Sequence, residues 1–183
     1  DMVKTRIAVL VSGGGTNLQA LIDACEAGII RSGEIKLVIS SSKKAYALER
    51  AAGAGIKAET ADKKEAGSQE AFEKKIEELL RENHIGLIVM AGFMSILTKE
   101  FTDKYQGRII NIHPSLIPSF CGRGYYGLKV HEAALAYGVK VTGATVHYVN
   151  EVPDGGQIIM QKAVEVKDGD TPEVLQKRVM EEA

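Results

Sequence analysis

Two side chains with chemical potential stand close together in Asn111-Ile112-His113-Pro114-Ser115-Leu116-Ile117-Pro118. Asn111 and His113 alternate with isoleucines, and in an extended chain alternate residues share a face. An amide beside an imidazole suits a reaction in which negative charge develops on oxygen while a proton moves. Pro114 and Pro118 keep the following backbone extended and deny it a helix. The same octapeptide could also be a strand end with a buried, hydrogen-bonded histidine, so the surrounding elements have to decide.

Those elements begin with a continuous apolar run, Arg6 to Val11, expected of a buried parallel strand. Ser12-Gly13-Gly14-Gly15-Thr16-Asn17 follows at once, then Leu18, Leu21, Ile22 and Cys25 at helical spacing, with Gly28 as a stop. Strand, glycine loop and helix N-terminus together make an anion site, because free N–H groups and the helix dipole favour a phosphate. It is not a P-loop, since Leu18-Gln19-Ala20 stands where Gly-Lys-Ser/Thr is required. Nor is it a dinucleotide fingerprint: Leu18 replaces a small residue, and the second strand, Glu34 to Ile39, ends in serines rather than an acid. A small phosphorylated ligand fits better.

Further along, the spacing predicts a short helix over 45–54, a short strand over 56–60 and a helix capped by Ser68 with Phe72, Ile76, Leu79 and Leu80 inward. The Glu and Lys residues of that helix read as a solvated face. His84 closes it as a cation at a helix C-terminus. Ile85 to Ala91 is a second buried strand, and Gly92 to Leu97 leaves its carboxyl end, where open α/β sheets bind ligands. Thr98 starts a short helix, and Arg108 to Ile112 is the strand that carries Asn111. Cys121 to Gly127 reads as a flexible loop. The following helix carries His131, expected to be a structural hydrogen-bonder. From Val139 the period switches to two, and Asp154-Gly155-Gly156 turns the chain back into a second strand, 157–166. Thr171-Pro172 opens a last helix running to Ala183, so the native protein is expected to continue beyond it.

This order gives an α/β fold: a doubly wound, mostly parallel sheet with a C-terminal antiparallel hairpin. The 183 residues suit one domain, 1–183. A net charge of −1 with scattered Lys and Arg argues against nucleic acid as the partner. No apolar run reaches a membrane span, and two isolated cysteines, Cys25 and Cys121, suit the cytoplasm and no metal cage.

Three motifs together carry a resemblance: Ser12 to Leu18; Ala91 to Leu97 with Asn111 to Pro118; and Val146-His147-Tyr148-Val149 with Asp154-Gly155-Gly156. The chain resembles the phosphoribosylglycinamide formyltransferases of the folate-dependent formyltransferase superfamily. The resemblance implies a Rossmann-like formyltransferase fold and transfer of formyl from 10-formyltetrahydrofolate to 5-phosphoribosylglycinamide in purine synthesis. It implies no metal, small molecules as the only partners, and a monomer or homodimer. It assigns catalysis to Asn111, His113 and Asp154, with Asn111 and cationic His113 meeting the oxyanion and Asp154 favouring the charged imidazole. Gly15, Thr16 and Asn17 would hold the phosphate. Met94, Ser95, Ile96, Leu97, Asn111 and the loop Asn150, Glu151, Val152, Pro153, Asp154 would hold the folate. Gln69, His147 and Glu182 are further candidates. Some members carry Arg where Gln69 and Ser95 stand, which leaves the folate-tail contacts open. The family's ribose-binding Glu falls near Ala183, beside Glu181 and Glu182. Alternatives within the superfamily are a methionyl-tRNA formyltransferase, which would bring a further domain and a basic surface, and a formyltetrahydrofolate hydrolase. Outside it stands a non-catalytic binder of a phosphorylated metabolite.

Overall fold

A computed structural model describes residues 3–182. Seven strands form one sheet in the order β3-β2-β1-β4-β5-β6-β7. Strands β1 (Thr5–Val11), β2 (Gly33–Ser40), β3 (Ala58–Thr60), β4 (Leu87–Ala91) and β5 (Ile109–His113) are parallel. Strands β6 (Val141–Tyr148) and β7 (Ile158–Glu165) add on antiparallel, as the change of period predicts. The chain winds outward from β1 to β3 and then returns to β4 on the other side of β1. The carboxyl ends of β1 and β4 therefore flank the switch point, where a crevice opens in such sheets.

The buried strands are apolar on both faces because helices cover both. One face packs Leu10, Leu37, Ile39, Ile88 and Ile109 against Phe72, Ile76 and Leu80 of α4 (Gln69–Glu82) and Phe101 of α5 (Lys99–Lys104). The other packs Val9, Val11, Val38 and Val89 against Leu18 and Ile22 of α1 (Thr16–Glu26) and Ala47 and Ala51 of α2 (Ala47–Gly53). A third cluster joins Ala134 of α6 (Leu128–Tyr137) to Leu175 and Val179 of α7 (Pro172–Glu182), over Val164 of β7. Ser68 and Thr98 cap their helices through Ala71 N–H and Phe101 N–H, and Thr171 accepts from Val174 N–H at the start of α7. A one-turn helix, α3 (Lys63–Ala66), capped by Asp62, was not anticipated.

Three expectations need correction. Glu73 is not on a solvated face: it is buried, and its carboxylate accepts from both the Thr98 N–H (2.7 Å) and the Thr98 hydroxyl (2.6 Å). A carboxylate at a helix start both caps it and answers its dipole. His131 is not a hydrogen-bonder: neither ring nitrogen has a partner among the described residues. The Cys121–Gly127 loop is not free at its start, because Gly122 N–H is held by Asp154. The expected course of the last helix through Ala183, and the ribose-binding position placed there, lie outside the described residues.

Candidate active site

Alternation along β5 does what the sequence suggests. Ile110 and Ile112 pack with the α1 face, while Asn111 and His113 point to the other. The antiparallel register then sets Asn111 opposite His147 and His113 opposite Thr145. Cross-strand partners share a face, so β6 brings a second imidazole beside the first pair. Asp154 arrives from the β6–β7 turn in a left-handed conformation, φ 54. Its neighbour Gly156 has to be glycine, because a Cβ there would meet the Tyr148 carbonyl oxygen at 1.6 Å.

The hydrogen bonds fix which nitrogen carries which proton. His113 Nε2 lies 2.8 Å from the Phe120 carbonyl oxygen, which can only accept, so Nε2 holds the hydrogen. That leaves His113 Nδ1 as the working nitrogen, 3.6 Å from Asp154 Oδ2. His147 Nδ1 likewise donates to the Tyr148 carbonyl at 2.7 Å, and its Nε2 accepts from Asn111 Nδ2 at 3.0 Å. The second amide hydrogen of Asn111 goes to Asp154 Oδ1 at 3.1 Å. Gly122 N–H completes the carboxylate, donating to Oδ2 at 2.8 Å. Burial pushes the Asp154 carboxyl up, but the groups that face it, the Gly122 N–H among them, outweigh burial and hold it below the usual carboxylate range. Asp154 is thus an anion aimed at His113. One hydrogen of Asn111 holds this carboxylate and the other the His147 ring, so the amide that the sequence offers as an oxyanion donor is, at rest, fully engaged by the protein.

The glycine loop meets the segment that follows β4 across the switch point. Ser12 N–H donates to the Gly92 carbonyl at 3.2 Å. The Ser12 hydroxyl accepts from Met94 N–H at 2.8 Å and lies 2.6 Å from the Ser41 hydroxyl. Gly15 is the N-cap of α1 at φ 74, and no side chain caps the helix. Thr16 and Asn17 open that helix, so its first N–H groups point outward as an anion site requires. Arg50 borders the loop, donating to the Gly14 carbonyl at 2.7 Å.

The loops given to folate present apolar side chains to solvent: Met94, Ile96 and Val152 are each more than half exposed. Leu97 is the exception. Its side chain is buried in the core beside Phe72 and Phe101, so it supports the loop rather than lining it. Gln69 braces the same loop by donating to the Ile96 carbonyl at 2.9 Å. Glu182 is exposed near the end of α7, which packs against α1 as well as α6. Asn150 turns the second loop by accepting from Val152 N–H at 2.9 Å. Sequence reasoning missed Phe120, Gly122 and Thr145, because each acts through backbone atoms or a register that only the paired strands reveal. Among the described residues no group of three His, Cys, Asp or Glu is placed to hold a metal ion. Among the described residues, too, no helix is long and apolar enough to cross a membrane.

An imidazole held in one tautomer against a buried carboxylate, beside a phosphate-ready helix end and apolar loops, is equipped for acyl transfer onto a phosphorylated substrate. Comparison with known proteins agrees. The chain belongs to the formyl transferase family, which it matches over residues 5–183. It is 46% identical over 176 residues to the human trifunctional purine biosynthetic protein adenosine-3, covering 96% of this chain and 17% of that protein. The chain therefore spans about one sixth of the length of the trifunctional relatives. It is 41% identical over 177 residues to the phosphoribosylglycinamide formyltransferase of Haemophilus influenzae, 97% of this chain and 81% of that one. The crystal structure of glycinamide ribonucleotide transformylase 1 from Symbiobacterium toebii superposes with a TM-score of 0.87 at 43% identity, covering 98% of this chain and 82% of the other.

Proposed function

We propose that the protein transfers the formyl group of 10-formyltetrahydrofolate to the amine of 5-phosphoribosylglycinamide, giving the N-formylated ribotide of purine synthesis and tetrahydrofolate. The observation that carries this reading is the convergence of Asn111, His113 and Asp154 at the strand ends, next to an uncapped helix N-terminus. The names of the relatives supply formyl transfer and phosphoribosylglycinamide, and the family resemblance supplies the folate donor. Residues 1–183 act as one formyltransferase unit, and two free cysteines suit a reducing cytoplasm.

Gly15, Thr16 and Asn17 receive the ribotide phosphate. Met94 and Ile96 on one side and Val152 on the other offer the pteridine apolar walls, with Gln69 keeping the first wall in place. The amine attacks the formyl carbon and forms a tetrahedral adduct with negative charge on oxygen. His113, cationic beside Asp154, points its Nδ1–H at that oxygen. The adduct collapses with cleavage of the bond to the folate nitrogen, and the imidazolium gives its proton to that departing nitrogen. The attacking amine's proton then returns to His113. Asn111 keeps Asp154 aimed, and shares in the oxyanion as the adduct displaces one of its protein partners.

The test is a direct assay. Tetrahydrofolate release is followed with and without the ribotide. Release that depends on the ribotide, with stoichiometric formylated product, is expected. Release without it would make the protein a hydrolase, and no release with either would make it a binder.

A further inference from the structure

The Phe120 carbonyl that fixes the His113 tautomer sits at the far end of a loop, Pro114 to Cys121, and something has to hold that loop. Thr145, fully buried, does most of it. Its hydroxyl donates to the Ser115 carbonyl (2.7 Å) and accepts from the Ile117 N–H (3.1 Å) and from Gln161 Nε2 (3.1 Å). Both lone pairs and the hydrogen of the hydroxyl are then used. The second hydrogen of the Gln161 amide goes to the Ile117 carbonyl at 2.9 Å. The buried Ser115 hydroxyl, in turn, donates to the Ser119 carbonyl at 2.6 Å, next to Phe120. The register explains the line-up: His113 pairs with Thr145 across β5 and β6, and Thr145 pairs with Gln161 across β6 and β7. His113, Thr145 and Gln161 thus form one cross-strand row, and the loop from His113 folds back onto the outer two members.

We propose that Gln161, on the edge strand, is a positioning residue that keeps His113 in its working tautomer by pinning the Pro114–Cys121 loop. The inference rests on reading His113 as the proton-transfer group. The physical reason is a competition between two neutral tautomers. With Phe120 in place, the ring proton sits on Nε2 and Nδ1 is free for the substrate. If the loop drifts, the Nε2–H loses its acceptor, and the proton is better placed on Nδ1, bonded to Asp154 Oδ2. In that neutral tautomer Nδ1 has no lone pair with which to take back the attacking amine's proton, so the ring cannot be returned to its cationic form through the nitrogen that faces the substrate. Neither Gln161 nor Thr145 has to touch substrate for this to operate.

The experiment uses the full chain with ¹⁵N-labelled histidine and two variants. Gln161→Glu keeps the shape and removes both donated hydrogens, and Gln161→Leu removes the polar end altogether. Gln161 lies on the exposed edge strand, and thermal melts verify that both variants fold. The ring ¹⁵N shifts of His113 report the tautomer, and steady-state kinetics report turnover. Both variants are expected to populate the Nδ1–H form and to lower kcat about 5- to 10-fold, the scale of one well-made hydrogen bond, with KM for either substrate within about 2-fold. Wild-type ring signals in Gln161→Glu would overturn the proposal, whether or not kcat falls. A tautomer shift with unchanged kcat would uphold the positioning by Gln161 and instead remove His113 from the proton-transfer role.

Discussion

Two histidines of this chain are nearly equally buried, His113 at 4% exposure and His131 at 1%, yet their surroundings are opposite. His113 has a carbonyl on one nitrogen and a carboxylate facing the other. His131 has no partner on either among the described residues. Burial alone penalises the charged ring, and at His131 it does so unopposed: desolvation first, then the nearby His113, push it down to about 4. At His113 a carbonyl faces one ring nitrogen and a carboxylate the other. A buried imidazole therefore becomes a proton carrier only through the groups that face it. Asp154, Asn111, Gly122 and Phe120 are what set His113, the proposed active-site histidine, apart from His131.

The strongest way to break this contrast is to delete each ring. His113→Ala is expected to lower kcat by at least roughly 10²-fold, the usual scale for a general acid or base, with the fold retained. Turnover near that of the wild type in a folded variant would remove His113 from the mechanism. Asp154→Asn comes next. Asparagine accepts a left-handed backbone, so the turn survives, and what is lost is the charge. With no anion to favour the imidazolium, kcat should fall by roughly 10-fold or more and its pH dependence should move toward acid. A variant with full activity and an unmoved pH profile would leave Asp154 as a turn residue only.

His131 sharpens the contrast through stability. Its folded-state value of about 4 lies below the ordinary 6.5, so between those limits the unfolded chain binds a proton that the folded chain does not. Stability on this account is full above about pH 6.5 and declines as pH falls toward 4, by on the order of 3 kcal/mol. Asp154, held below its usual range, adds a loss in the same direction at still lower pH. His131→Leu removes a ring with two unpaired nitrogens and fills the space with carbon. The variant should be as stable as the wild type or more so at pH 7.5, and should lose less stability by pH 5. Urea melts at the two pH values check this. An equal acid loss in both proteins would place the sensitivity elsewhere.

The two halves of the site were unequally legible in the sequence. The phosphate end is contiguous: apolar strand, glycine run and helix lie within residues 6–25, so local pattern suffices, and β1, the loop and α1 appear where expected. The proposed catalytic end is assembled from three elements. Asn111 and His113 could be paired from alternation along one strand, and Asp154 from the family resemblance. His147 was a candidate through the resemblance, while Thr145 and Gln161 depend on the register of β5, β6 and β7, which the sequence does not display. Phe120 and Gly122 act through backbone atoms, which no side-chain pattern encodes. Glu73 was misplaced for a related reason: a Glu among Glu and Lys looks solvated until the start of α5 is seen beside it. His131 was misread because its helix position was visible and its lack of partners was not.

The smallest expected effect separates the glycines of the phosphate end, and the structure decides which one can serve as a probe. Gly15 cannot: any side chain there would sit 2.6 Å from Ala47 Cβ, and its φ of 74 is strained for other residues. A large residue at Gly15 would disturb α1 and α2 and raise the KM for both substrates, whatever the phosphate does. Gly14 has no atom within 4 Å of an added Cβ and no positive φ, so alanine fits without moving the protein. What a methyl group there would meet is a ligand drawn close to the backbone at the open end of α1. Gly14→Ala should therefore raise the KM for the ribotide by a few-fold, about 1 kcal/mol or less, and leave the KM for the folate and the melting temperature unchanged. Equal effects on both substrates, or none on either, would move the phosphate away from this helix end and would leave the convergence on His113 as the only anchored half of the site.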